Sequence, residues 1–211
     1  MMGMLLSGYR ISMIIFAVTL VGSIPLGMLV ALGRLSKFKP LSLLMQLFIS
    51  LLRGTPLMLQ MFAVSFMPYY VFGLKTGADF PMIAVLISFV INYAAYFAEI
   101  YRSGIQSIPR GQYEAAEVLG YSSRQTFQRI VLPQVIKRVL PAMGNEVVTL
   151  VKDTSLAFSL GVLEMFTQAR AIVTSQRTMA AFAVAALIYW VTCLIIELTH
   201  IIFKSYLYIF T

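Results

Sequence analysis

The chain has 211 residues, of which 60% are hydrophobic and only 11% are charged, and its formal net charge is +8. Soluble domains carry about 25% charged residues, so a soluble protein of this length could not bury so much apolar surface, and we expect a protein of the lipid bilayer. One cysteine, Cys193, and one histidine, His200, exclude a disulfide within the chain and a zinc site built from Cys and His clusters. No metal site is therefore expected.

Five membrane-spanning helices are predicted in an all-α fold. Windows without a charged residue cover 11–33, 54–74, 80–98 and 178–196, with lengths of 23, 21, 19 and 19 residues. A helix needs about 20 apolar residues to cross the hydrocarbon core. We predict spans at about 11–33, 41–72, 80–100, 139–160 and 179–203, within a single transmembrane domain that covers 1–211.

The second and fourth spans depart from a simple apolar helix. Arg53-Gly54-Thr55-Pro56 interrupts the second span, and the residue before a proline is pushed out of helical geometry. We expect a bend there, near the cytoplasmic side. The fourth span contains the polar residues Asn145, Glu146, Lys152, Asp153, Thr154 and Ser155. Ionisable groups at membrane depth face a bundle interior or an aqueous cavity, so this helix is predicted to line a path.

Positive charge predicts the orientation. With the N-terminus outside, the inner segments hold ten Lys and Arg residues and the outer segments hold four. Because cytoplasmic loops are enriched in Lys and Arg, we predict an outer N-terminus and a cytoplasmic C-terminus. The same distribution explains the net charge, and no nucleic-acid partner is expected.

The segment 102–138 is the one long polar stretch and is predicted on the cytoplasmic side. It has the pattern of two short helices, the first ending at Leu119 and followed by Gly120, which suits the left-handed position after a helix. Ser122 and Gln125 have the spacing of a capping box for the second helix. An ordinary connecting loop and a DNA-binding helix-turn-helix are the alternatives, and the membrane on either side disfavours the latter.

The same segment carries a long motif. Glu114-Ala115-Ala116, Gly120 and Ile130-Val131-Leu132-Pro133 fit E-A-A-x3-G-x9-I-x-L-P, which resembles the EAA motif of the transmembrane permease subunits of ABC importers. The resemblance implies the type I importer fold and a coupling helix, between spans three and four, that docks on cytoplasmic ATPase subunits. The residues it implies for ATPase coupling are Glu114, Ala115, Ala116, Gly120, Ile130, Leu132 and Pro133.

Further motifs resemble the polar amino acid uptake permeases. They are Arg53-Gly54-Thr55-Pro56-Leu57, the A-Y-x-A-E-x-x-R pattern over 95–102, and the L-x-K-D-T-S-L pattern over 150–156. The resemblance implies import of polar amino acids such as glutamine, arginine, histidine or cystine by ATP-driven alternating access in a prokaryotic cell membrane. It implies three partners: a cytoplasmic ABC ATPase dimer, a second permease copy or a homologous permease, and an extracytoplasmic amino-acid-binding protein.

The chain has no phosphate-binding G-x4-G-K-[ST] sequence. We therefore predict a transport subunit that is not itself an enzyme and has no cofactor, with ATP and magnesium bound by the partner ATPase.

Buried polar residues are the candidates for the substrate path. They are Arg53, Thr55, Asn92, Tyr96, Glu99, Lys152, Asp153, Thr154, Ser155 and Glu164. Structural roles stay open for several of them: Glu99 could pair with Arg102 or Arg53, and Glu164 could contact the binding protein or solvent. The main alternative function is an ATP-independent secondary transporter or channel for small polar solutes. A scaffold protein and an intramembrane enzyme are weaker alternatives.

Overall fold

The computed structural model describes residues 1–209, and this part of the chain is helical without a strand. The helices are α1 Met2–Arg34, α2 Lys39–Gly54, α3 Leu57–Phe72, α4 Phe80–Gln106, α5 Arg110–Val118, α6 Ser123–Thr126, α7 Leu132–Asp153, α8 Met165–Gln176 and α9 Ala180–Ile209. A π-helical turn, Phe127–Val131, precedes α7, and a 3-10 helix, Thr154–Leu160, follows it.

Three helices, α1, α4 and α9, are each long and apolar enough to cross a membrane. Two bent pairs raise the number to as many as five: α2 with α3, and the run Ser123–Leu160 with α8. The predicted five spans agree with this upper number. The helical content and the spans confirm the predicted class of an all-α membrane protein.

The predicted second span is two helices and not one. The axes of α2 and α3 differ by 108°, and α3 has 16 residues, which is about 24 Å of helix. Pro56 has no N–H, so carbonyl groups at the end of α2 lose their helical partners. Gln60 replaces them: its Nε2 donates to the carbonyl oxygens of Leu52 at 2.8 Å and of Thr55 at 3.1 Å. The predicted bend is therefore a full corner with its own side-chain hydrogen bonds.

α4 lies at the centre of the bundle. Phe89, Tyr93 and Phe97 on this helix are almost fully buried. Close packing against the neighbouring helices depends on glycine: a Cβ on Gly104 would lie 2.2 Å from Cγ1 of Val139 in α7. Small residues let helices approach closely in a membrane protein, where packing replaces the hydrophobic effect as the source of association.

The predicted fourth span ends at residue 160 as predicted, but its last turns are 3-10 and not α-helical. α7 stops at Asp153, the 3-10 helix runs to Leu160, and Gly161 takes a left-handed conformation with φ of +76°. The chain then turns by 59° into α8, which the sequence analysis did not predict. The polar segment of the span thus lies at the point where helix geometry changes.

The segment between α4 and α7 confirms the predicted pair of short helices. α5 ends at Val118, and Gly120 has a φ of +76°. Ser122 and Gln125 form the predicted capping box, in which the Ser122 N–H donates to Gln125 Oε1 at 2.9 Å. The segment between the spans is shorter than the predicted 102–138, because α4 continues to Gln106 and α7 begins at Leu132.

Candidate functional site: a polar cavity and a coupling surface

A cavity of about 360 Å³ begins at the corner between α2 and α3 and extends between α3, α4 and α7. Its lining residues are Thr55, Pro56, Leu57, Asn92, Tyr93, Tyr96, Glu146, Thr149, Asp153 and Leu156. The structure therefore brings together four of the predicted path residues: Thr55, Asn92, Tyr96 and Asp153. We call this space the path cavity.

The α7 wall of the path cavity is acidic. Glu146 and Asp153 are seven residues apart, and Thr149 lies between them, so all three share one helix face. The Tyr93 hydroxyl donates a hydrogen bond of 2.7 Å to Asp153 Oδ2. The carboxylate of Glu146 is half-buried and accepts no hydrogen bond from the side chains and backbone described within 1–209. The wall therefore presents one carboxylate held by a partner and one available to a ligand.

The opposite wall is neutral and rigid. The Asn92 amide donates to the carbonyl of Leu52 and to Gln60 Oε1, both at 3.0 Å. The Thr55 hydroxyl accepts from Gln60 Nε2 at 2.9 Å and donates to the carbonyl of Leu51 at 2.8 Å. These bonds fix the corner, so Thr55 and Asn92 shape the cavity as well as line it.

Arg53 and Glu99 lie beside the path cavity in a second space of about 290 Å³. This inner niche is lined by Arg34, Gln46, Ile49, Ser50, Arg53, Glu99 and Arg102. Arg102 donates from Nε and Nη2 to Glu99 at 2.9 and 2.5 Å, and Arg53 Nη1 lies 4.0 Å from Glu99 Oε1. The ion pair that the sequence analysis kept as an alternative for Glu99 is therefore present.

Four further path candidates, Lys152, Thr154, Ser155 and Glu164, line neither the path cavity nor the inner niche. Lys152 points away from Asp153, as expected for neighbours on a helix, and lines a separate space of about 270 Å³ with Glu197 and His200. The hydroxyls of Thr154 and Ser155 donate to backbone carbonyls three residues earlier, at 2.7 and 2.8 Å. The fourth is Glu164.

Glu164 is a helix cap. Its side chain is fully buried and accepts hydrogen bonds from the N–H groups of Phe166 and Thr167 at 2.6 and 2.7 Å, and from the Thr167 hydroxyl at 2.8 Å. Both carboxylate oxygens are engaged at the start of α8, so the structure gives Glu164 a capping role, and its role in the substrate path stays a prediction.

Sequence reasoning did not name Tyr93, Glu146 and Thr149 as site candidates, although all three line the path cavity and Glu146 was among the polar residues noted in the fourth span. The seven-residue spacing between Glu146 and Asp153 was the available signal, because it places both carboxylates on one helix face. Tyr93 had no such signal, since a tyrosine in an apolar helix is as typical of core packing as of a polar site.

The segment predicted to couple to an ATPase has an exposed tip. Glu114 and Ala115 face solvent, whereas Ala116 is buried, so Ala116 packs inside the helix pair and does not form part of its outer face. Val118 and Leu119 are 87% and 73% exposed at the turn before Gly120. An exposed apolar pair in a polar loop indicates a protein contact, and the sequence analysis did not single it out.

The remaining residues predicted for ATPase coupling lie at the base of this segment. Ile130, Leu132 and Pro133 are partly buried, and the last two form the first turn of α7. The tip that carries Glu114 is thus joined to the helix that carries Glu146 and Asp153. No group of three or more metal-ligating side chains occurs within residues 1–209.

Comparisons with known proteins identify the family. Residues 23–204 match the family described as the binding-protein-dependent transport system inner membrane component. The chain is 35% identical over 180 residues to the L-cystine transport system permease protein TcyB of Bacillus subtilis (strain 168), covering 84% of this chain and 75% of that protein. It is 38% identical over 171 residues to the nopaline transport system permease protein NocM of Agrobacterium fabrum, covering 76% and 69%.

Comparison with solved structures also finds chains of ABC transporters. The crystal structure of an amino acid ABC transporter with histidines has a chain that is 28% identical, with a TM-score of 0.88 over 97% of this chain and 94% of that one. A chain of the methionine ABC transporter MetNI shares the fold, with a TM-score of 0.74 and 15% identity. The chain therefore belongs to the family of inner membrane components of binding-protein-dependent transport systems, as a multi-pass permease subunit of the ABC importer type.

Proposed function

We propose that this permease moves polar amino acids, such as glutamine, arginine, histidine or cystine, into the cell by ATP-driven alternating access. Relatives named for cystine and nopaline transport and a related amino acid ABC transporter support the substrate class. The alternative of an ATP-independent transporter or channel is disfavoured, because the family to which the chain belongs works with partner subunits.

The observation that carries the proposal is the acidic wall of the path cavity. An amino acid presents an ammonium group, and a carboxylate in a site of low dielectric binds a cation much more strongly than one in water. Glu146 has no hydrogen-bonding partner among the described residues and faces the same space as Asp153. We assign the substrate ammonium to these two carboxylates, and the neutral side chains of Asn92 and Thr149 to its polar groups.

Coupling to ATP follows from the exposed tip. Val118 and Leu119 offer the apolar contact, and Glu114 offers a charge, to a groove on a cytoplasmic ABC ATPase dimer that holds ATP and magnesium. Closure of that dimer displaces the tip. Because the helical run from Ser123 to Asp153 is almost continuous, displacement of the tip shifts the acidic wall of the path cavity.

The remaining partners complete the importer. The path cavity is open on one side of the protomer, and a second copy related by a two-fold axis would close it, since symmetric dimers are the commonest assembly; a homologous permease would serve equally. An extracytoplasmic amino-acid-binding protein delivers the substrate to the outer face. The orientation is an outer N-terminus and a cytoplasmic C-terminus in the prokaryotic cell membrane.

The test is transport in proteoliposomes that contain the permease, its ATPase and its binding protein. A panel of radiolabelled L-amino acids and L-cystine is offered with ATP or with a non-hydrolysable analogue inside the vesicles. We expect ATP-dependent uptake of at least one polar amino acid. Equal uptake with the analogue would favour the secondary transporter, and uptake of no amino acid would refute the substrate class.

A further inference from the structure

The inner niche has a charge opposite to that of the path cavity. Three arginines, Arg34, Arg53 and Arg102, and one acidic residue, Glu99, surround it, which gives a formal charge of +2. Gln46 and Ser50 add neutral hydrogen-bond donors. A space of about 290 Å³ with this lining favours an anion.

Two of the three guanidinium groups already have hydrogen-bonding partners. Arg102 holds Glu99 through two nitrogen atoms, and Arg34 Nη1 donates to the Ser42 hydroxyl at 2.8 Å. Arg53 makes no hydrogen bond to any residue described within 1–209. The nearest carboxylate to Arg53 is that of Glu99, at 4.0 Å, which is beyond hydrogen-bonding distance. Its N–H donors are therefore available to a ligand.

Arg53 also faces the path cavity. Its guanidinium carbon lies 5.2 Å from the centre of the Tyr96 ring, and Tyr96 lines the path cavity. The cation–π contact orients the guanidinium without using its hydrogen-bond donors. Arg53 thus lies between the two spaces, and its charge can attract an anion in either of them.

One face of α4 connects the two spaces. Asn92, Tyr96, Glu99 and Arg102 follow one another at intervals of three or four residues, which places them along one side of the helix. The first two line the path cavity and the last two line the inner niche. Tyr96 and Glu99 are three residues apart, about 4.5 Å of helix, so the two spaces adjoin along α4.

We propose that the inner niche is a second station on the amino-acid path, in which Arg53 binds the α-carboxylate of the substrate. This inference rests on the proposed function. The substrate ammonium is held first by Glu146 and Asp153; the carboxylate then turns to Arg53 and enters the space shared with Arg34. Arg102 holds both carboxylate oxygens of Glu99 by hydrogen bonds, so only the longer contact of 4.0 Å ties Glu99 to Arg53.

The experiment measures protection of Arg53 from phenylglyoxal, a reagent that modifies free guanidinium groups. The permease–ATPase complex in nanodiscs is labelled without ligand, with a mixture of the L-amino acids, or with the methyl esters of the same amino acids, and modification is read by mass spectrometry. We expect the free amino acids to lower labelling of Arg53 severalfold and the esters to leave it unchanged. Arg177, an exposed residue after α8, is the control and should label equally throughout.

Two nanodisc compositions, phosphatidylcholine alone and phosphatidylcholine with phosphatidylglycerol, distinguish an amino acid from a lipid headgroup as the ligand of Arg53. Protection by the anionic lipid, with no further effect of amino acids, would assign the niche to a lipid phosphate and overturn the proposal. Equal protection by the esters, no protection by either mixture, or an Arg53 that never labels would also overturn it.

Transport supplies a second measurement. Arg53→Gln should lower ATP-driven uptake about tenfold or more, because a hydrogen bond to a charged group is lost. Arg53→Lys, which keeps the charge, should retain more activity, and the matched change Arg177→Gln should have no effect. Arg53→Gln at the wild-type rate contradicts the second station. If amino acids are taken up but do not protect Arg53, only the proposal of a second station is refuted. If no amino acid is taken up, the proposed function is refuted as well.

Discussion

At the level of single residues, two carboxylates differ in their partners: that of Glu164, which is fully buried, and that of Asp153, which is half-buried. Glu164 accepts three hydrogen bonds of 2.6 to 2.8 Å at the start of α8. Asp153 accepts one, from the Tyr93 hydroxyl, and faces the path cavity. The sequence alone placed both among path candidates because each is an ionisable group in or near an apolar segment. Only their hydrogen-bonding partners distinguish the two residues. The partner of Asp153 lies 60 residues away in the chain, whereas those of Glu164 lie in the helical turn that follows it.

Removal of the Glu164 cap should lower the thermal stability of the protein without changing which amino acids it transports. Glu164→Ala leaves two backbone N–H groups of α8 unpaired in a partly buried position, at a cost of about 1–3 kcal/mol. Glu164→Asp keeps a carboxylate that is a good cap and should recover part of the loss. The measurement is the midpoint of thermal unfolding in detergent. A Glu164→Ala protein with wild-type stability and lost uptake would instead support a role in the path.

At the scale of helices, the contact between α4 and α7 depends on Gly104. A methyl group there would meet Cγ1 of Val139 at 2.2 Å, and the β-branched valine has little freedom to move. Gly104→Ala should destabilise the protein by about 1–3 kcal/mol, whereas Gly3→Ala, which meets nothing within 4 Å, should not.

A double variant tests this contact directly. In Gly104→Ala with Val139→Ala the clash is relieved, so the loss of stability should be smaller than the sum of the two single losses. Strict additivity in the thermal unfolding midpoints would show that the two helices do not meet at this pair.

Two substitutions test the exposed tip of the segment that is predicted to couple to an ATPase. Glu114→Arg reverses a charge on the exposed face, and Gly120→Asp puts a side chain at a φ of +76°, a conformation that costs an L-residue about 1–2 kcal/mol. Both should abolish ATP-driven uptake and co-purification of the ATPase, while the permease still inserts into the membrane. Asp79→Arg, an equal charge change in the loop before α4, is the control. Normal ATPase recovery with both variants would contradict the assignment.

The elements differ in how far the sequence predicted them. The two short helices around Gly120 followed from one glycine and one capping box, because both signals are local. The corner between α2 and α3 was expected only as a bend, since its 108° angle depends on Gln60 and on Asn92, which is 40 residues from the carbonyl that it binds. α8 was missed because its cap, Glu164, has no local sequence signature among Ser, Thr and Asn caps.

At the scale of the whole molecule, the orientation can be tested by labelling. In a Cys193→Ser background, Gly77→Cys and Ser123→Cys place single thiols in the loop before α4 and in the coupling segment. A membrane-impermeant maleimide added to intact cells should modify the first and not the second. The reverse pattern would invert the orientation derived from the charge distribution.

The fold as a whole could be predicted because its signals are redundant: long apolar windows, basic inner loops and the spacing from Glu114 to Pro133. The path cavity could be predicted only in part. Thr55, Asn92, Tyr96 and Asp153 lie in recognisable motifs, but their meeting depends on the packing of α3, α4 and α7. The charge separation between the path cavity and the inner niche depends on the same packing.

Uptake by a double variant shows whether the two carboxylates in the acidic wall of the path cavity bind the substrate ammonium. Glu146→Gln with Asp153→Asn removes both charges with little change in volume, and Glu197→Gln removes a carboxylate that lines a different space. In proteoliposomes with ATPase and binding protein, we predict that the double variant loses about tenfold or more of its ATP-driven amino-acid uptake, with the control near the wild-type rate. Wild-type uptake by a folded double variant would contradict the account.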